Sequence, residues 1–202
     1  MSMYKKICIT NRKLVEGDFF TQLERVLKEA KPDMVILREK DLLIEDYKEM
    51  AAEFIELCHH YNTKCILHNF IDAVLELKDD GYKADGIHLP LPVLKATTAS
   101  PLWKEELVRI QAEFPELGVS THSVEEALAA QSLGATYITA GHVFATDCKQ
   151  GVPPRGTALL TEISHAVHIP VYALGGIDET NAIQCIEAGA SGVCMMSGYM
   201  NY

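Results

Sequence analysis

Four polar motifs in this chain could do chemistry, and each closes an apolar run. The longest is YITAGHVFATDCKQGVPPRG, residues 137–156, which joins a strand-like stretch to a glycine-punctuated loop carrying Thr146, Asp147, Cys148 and Lys149. One unit upstream lies GVSTHS (118–123), and downstream lie ALGGI (173–177) and CMMSG (194–198). Glycines let a backbone approach an anion closely and take positive φ. Gly175 and Gly176, with Ser197 and Gly198 one unit later, are therefore candidate phosphate-binding residues, although tight turns after strands use the same residues. Lys149 and Thr146 would supply a cation and a donor from the long loop, with Arg155 tying that loop to the scaffold. Arg38 and Lys40, in LREK, form a second positive pair, and the planar fork of Arg38 suits a carboxylate.

His122 is the histidine with a defined chemical position, between Ser120 and Ser123 where a strand should give way to a helix. With an ordinary pKa near ~6.5 it can give or take a proton at neutral pH. It is the candidate general acid/base; the competing reading is an imidazole that only orders the loop. His142 could line the same mouth, His68 and His88 sit at or near strand ends, and His59, His60, His165 and His168 fall on or beside helices. No carboxylate cluster suited to a metal occurs at these strand ends. Asp72 lies past its strand and Asp85 precedes one. No metal and no cofactor are implied.

Those residues need a scaffold that brings strand ends together. Eight apolar runs alternate with amphipathic stretches: 7–10, 34–39, 64–69, 86–89, 119–122, 137–141, 171–175 and 192–197. This is the pattern of repeated βα units around a parallel sheet. Tyr47, Met50, Ala51, Phe54, Ile55, Cys58 and Tyr61 follow helical spacing, as do Phe19, Leu23, Val26 and Leu27. Ser123 and Glu126 make an S-x-x-E capping box opening a helix over 124–133. No G-x-G-x-x-G follows the first run, so a doubly wound open sheet is disfavoured. The expectation is an α/β chain, a (β/α)8 TIM barrel forming one domain over 1–202, with its eighth helix truncated. A seam between strands eight and one would then be covered by a partner in a homodimer, or the chain was shortened.

Composition limits the partners. The 202 residues are 48% apolar and 23% charged, enough to bury a full core. A net charge of −10, with Lys and Arg scattered among carboxylates, argues against nucleic acid. An anionic ligand must then meet local rather than global positive potential. No apolar run has membrane-spanning length and the first residues lack a signal-peptide core, so a cytoplasmic protein is expected, with no membrane partner. The six cysteines show no C-x-x-C spacing and read as reduced thiols.

LREK (37–40), HN (68–69), DGIHL (85–89), GVSTHS (118–123), YITAGHVFATDCKQG (137–151), PVYALGGI (170–177) and SGVCMMSG (191–198) together resemble the thiamine phosphate synthase superfamily from end to end. GHVFATDCKQG looks most like its thiazole tautomerase branch. The resemblance implies a small-molecule thiazole phosphate as ligand, with Arg38, Lys40, Asn69, Thr146 and Lys149 as substrate-binding positions and His122 as the proton-transfer group. The synthases of this superfamily hold Mg²⁺ with an Asp beside the strand-three Asn and another after strand four. Here Phe70 stands at the first place, and Pro90, Leu91, Pro92 and Val93 follow Leu89 at the second. Both departures favour a metal-free proton shift over the synthase reaction. The alternatives are a synthase, another phosphate-binding barrel enzyme such as an epimerase or aldolase, and a non-catalytic barrel that senses a thiamine precursor.

Overall fold

The computed structural model describes residues 4–146 and 151–201. Eight parallel strands close into a barrel in sequence order: β1 Lys5–Ile9, β2 Met34–Leu37, β3 Lys64–His68, β4 Gly86–Pro90, β5 Glu116–Thr121, β6 Tyr137–Gly141, β7 Val171–Leu174 and β8 Gly192–Met195. Closure is made by β8 pairing with β1, with Lys5 to Cys8 opposite Gly192 to Met195. The strands are shorter than the apolar runs at several C-terminal ends. LREK and HN leave the sheet after Leu37 and His68, because their polar residues turn away into the loops.

Helices wrap the barrel: α1 Phe19–Arg25, α2 Ile44–His60, α3 Ile71–Asp79, α4 Leu91–Ala99, α5 Pro101–Glu113, α6 Val124–Ser132, α7 Gly156–Ala166, α8 Ala182–Glu187 and α9 Ser197–Met200. The periodic face of α2 is the buried one, with Tyr47, Ala51, Phe54, Ile55 and Cys58 packed on the strands. Tyr47 does more than fill space. Its hydroxyl donates to the Leu37 carbonyl at 3.0 Å and accepts the His68 N–H at 2.9 Å, bridging the exits of β2 and β3. Two helices fill the β4-to-β5 crossover, and α4 starts directly after Pro90 with Pro92 in its first turn, where a missing N–H costs nothing. The second of them, α5, buries Leu107 and Ile110 and leads into the buried Phe114.

Inside the barrel Ile7, Ile9, Met34, Ile36, Ile66, Tyr137 and Cys194 form one apolar layer. Above it the filling turns polar. Gly118 makes room for this, since a methyl on its Cα would collide with the Tyr137 ring and with His88.

The truncated eighth helix is present as the single turn α9. Tyr199 and Met200 of that turn are buried, and Gln22 of α1 donates to the Tyr199 carbonyl at 2.7 Å. The chain's own residues therefore pack against the β8–β1 seam.

Candidate active site

Every described residue expected in the site follows the C-terminal end of a strand, so the parallel barrel sets them all at one mouth. Arg38 and Lys40 follow β2, Asn69 follows β3, His122 follows β5, Thr146 lies in the loop after β6, Gly175 and Gly176 follow β7, and Ser197 and Gly198 open α9 after β8. Lys149 and Cys148 lie outside the described residues.

His122 is half-exposed at this rim. Ser123 caps α6, its hydroxyl accepting the Glu126 N–H at 3.2 Å. The reciprocal half of the capping box is displaced by one residue. Glu126 Oε2 accepts the backbone N–H of His122, not of Ser123, at 2.6 Å, and lies 3.3 Å from His122 Nδ1. One carboxylate thus holds the residue at both its main chain and its ring. Nδ1 is the ring nitrogen that meets Glu126, where a carboxylate can only accept. Arg155 fastens the arrangement from the other side, donating to the His122 carbonyl at 2.6 Å, which ties the β6 loop to the β5 exit as expected.

The other strand-end imidazoles sit in different surroundings. His68 and His88 stack inside the barrel with ring centroids 5.8 Å apart, and both are buried. His88 meets the Tyr137 hydroxyl through Nδ1 at 3.1 Å and the Ser120 hydroxyl through Nε2 at 2.8 Å. Burial drives the pKa of His88 down to about 3, helped by the positive charges of Arg38 and Lys40. Burial, then His88 and the same two cations, pushes His68 down to about 2. Both are neutral at pH 7 and poor proton acceptors.

His142 does not line an open mouth. It is buried beneath Gly175, its Nε2 is 3.3 Å from the Val152 carbonyl, and its Nδ1 has no partner among the described residues. The β6 and β7 loops are pressed together here. The Phe144 N–H donates to the Gly175 carbonyl at 3.0 Å, and a methyl at Gly175 or Gly176 would run into His142 or into Phe144 and Ala145. With φ of 103° and 65°, these two glycines are therefore required by loop packing whatever else they bind. Gly198 has open space around its Cα.

The carboxylate nearest β2 is already committed. Glu39 is buried and accepts from the Thr10 hydroxyl at 2.7 Å, the Arg12 N–H at 3.0 Å and the Arg12 guanidinium at 3.0 Å. Phe70, next to Asn69, lies against the Tyr47 ring with centroids 4.5 Å apart, and Leu91, the first residue of α4, is buried. These positions offer no free oxygen ligand. The described residues at the mouth do not fit the Mg²⁺ site that the synthases imply. Glu126 was missed as a functional partner by sequence reasoning, which used it only as a cap. Its spacing of four from His122 on a helix start was the available signal.

A closed parallel barrel with its polar groups gathered at the strand exits defines a (β/α)8 enzyme scaffold. The family model for thiamine monophosphate synthase matches residues 7–199, and the chain belongs to that family. It is 33% identical over 202 residues to the thiamine-phosphate synthase of Clostridium acetobutylicum, covering 98% of this chain and 88% of the relative. It is 32% identical to the putative thiamine-phosphate synthase 2 of Aquifex aeolicus, covering 99% and 100%. Among solved structures, the thiamine phosphate pyrophosphorylase from Pyrococcus furiosus superposes with a TM-score of 0.78 at 27% identity, covering 99% of this chain and 89% of that one. No described helix is long and apolar enough to cross a membrane.

Proposed function

We propose that this family member is a thiazole tautomerase, aromatising a carboxylated thiazole phosphate tautomer by a proton shift. The observation that carries the reading is His122, the strand-end imidazole that is both reachable from solvent and held by a carboxylate. One proton leaves the ring carbon bearing the substrate carboxylate and passes to His122 Nε2. The same nitrogen then returns a proton to the exocyclic carbon, so the imidazole ends as it began and the substrate is isomerised. Glu126 keeps the ring oriented through both transfers.

In this reading the phosphate sits against backbone amides around Gly175, Gly176, Ser197 and Gly198. Arg38 or Lys149 takes the carboxylate, with Lys40, Asn69 and Thr146 around the ring. Binding at the two charged ends positions the reacting middle. Aromatisation makes the product stable and the proton acidic, so one general acid/base suffices.

A second reading, thiamine phosphate synthase, is favoured by the names of the relatives, which are synthases at about the same identity along the whole chain. Its difficulty lies in Phe70, Leu91 and the committed Glu39. The two are separated by following the ultraviolet change of ring aromatisation with EDTA present, beside the coupling of pyrimidine pyrophosphate to thiazole phosphate with Mg²⁺. Turnover in the first assay that His122→Ala abolishes establishes the tautomerase. Turnover only in the second transfers the assignment to the synthase. Product binding with neither reaction leaves a non-catalytic binder.

A further inference from the structure

A second group of reactive side chains lies at the opposite, N-terminal end of the barrel, unconnected with the mouth. His59 is in the last turn of α2, Cys65 is the second residue of β3, and Asp85 immediately precedes β4. The Cys65 Sγ is 3.4 Å from His59 Nε2 and 3.4 Å from Asp85 Oδ2, and the latter two atoms are 3.7 Å apart. All three donors face one point. The carboxylate is fixed there by the Cys65 N–H, which donates to the same Oδ2 at 2.8 Å, while the Asp85 N–H returns a bond to the Cys65 carbonyl at 2.9 Å.

Those separations are close to the edges of a metal tetrahedron. Zinc bonds of about 2.3 Å to sulfur and about 2.0–2.2 Å to nitrogen and oxygen give donor-to-donor edges of roughly 3.4–3.6 Å. Cys65 is buried, whereas the side chains of His59 and Asp85 are 48% and 35% exposed, so the triangle has a buried corner and an open side. We propose that His59, Cys65 and Asp85 form a binding site for one zinc-type divalent transition-metal ion, with solvent in the fourth position.

The donor set decides the class of ion. A thiolate and an imidazole favour zinc, cobalt(II) and their neighbours over magnesium or calcium, which want oxygen alone. On binding, the S–H bond of Cys65 breaks, its proton leaves to solvent, and a sulfur–metal bond forms. Thiolate and carboxylate then balance the two positive charges, leaving a neutral site. Placed away from the mouth, the ion would clamp the end of α2 to β3 and β4 and so add stability, not chemistry.

The full chain, stripped with EDTA and exchanged into chelator-free buffer, is titrated with cobalt(II). Near-ultraviolet thiolate-to-cobalt absorbance should rise and saturate at one equivalent, be bleached by zinc, and be absent from Cys65→Ser and His59→Gln. Zinc should raise the thermal midpoint of the wild type but not of His59→Gln. That second variant changes a half-exposed side chain, so it keeps the test decisive if Cys65→Ser folds poorly. No charge-transfer band in the wild type would reduce the cluster to a hydrogen-bonded triad. A band that persists in Cys65→Ser would place the metal at another cysteine, and one that persists unweakened in His59→Gln would take the imidazole out of the site. Each of these results overturns the proposal.

Discussion

The rim of the barrel and its interior place the same side chain in opposite surroundings. At the rim, His122 is partly exposed and has the Glu126 carboxylate 3.3 Å from its Nδ1. Inside, on β3 and β4, His68 and His88 are shut away from water, and burial holds them neutral far below the ordinary range. All three close motifs of similar appearance in the sequence. Depth along the strand, not residue type, separates a solvent-reachable imidazole from one that burial holds neutral.

The largest expected effect tests the rim. His122→Ala should lower tautomerisation by about 10²–10⁴-fold, the range for a general acid/base, without shifting the urea midpoint appreciably. A variant with undiminished turnover would move the chemistry elsewhere in the mouth.

The interior should answer in stability. His88→Leu strands the Tyr137 hydroxyl and removes one of the two partners of the Ser120 hydroxyl, costing about 1–3 kcal/mol by urea denaturation. The same residue sets a pH dependence. Unfolding raises its pKa from about 3 toward ~6.5, so the unfolded chain binds more protons between those values. The contribution is complete above pH ~6.5 and is lost as pH falls toward 3. The wild-type midpoint should therefore drop across that window, and the drop should be shallower in His88→Leu. Equal slopes would show that His88 is not held neutral.

Two smaller effects sharpen the view of the rim. Glu126→Gln keeps an acceptor for the His122 N–H but replaces a charge-assisted bond, roughly twice as strong as a neutral one, so kcat should fall about fivefold with KM little changed. A KM effect instead would give Glu126 a role in binding. Ser123→Ala removes the α6 cap and should cost about 1 kcal/mol by denaturation while leaving most activity in place.

Much of the fold is legible because its signals are local. Eight apolar runs, their alternation with amphipathic stretches, the buried face of α2 and the Ser123 cap each depend on residues within a few turns of one another. The strand-end location of His122, Arg38, Asn69 and the glycine pairs follows from the same order, since parallel strands must all exit on one side. The crossover helix α5 was not anticipated because a second helix between two strands departs from the alternation of one strand with one helix. The turn after β8 is too short to show in the pattern, because two buried residues, Tyr199 and Met200, make no period.

What the sequence determined by itself, then, is the order of elements and the end of the barrel where polar residues collect, because backbone period and strand direction are properties of neighbouring residues. Only the tertiary structure decided which imidazoles are buried, that Gly175 and Gly176 close over the β6 loop, that Arg155 holds the His122 carbonyl, and that His59, Cys65 and Asp85 converge. Each of those facts is set by the register of distant strands, and a hydrogen bond or a desolvated ring exists only once the barrel has closed around it.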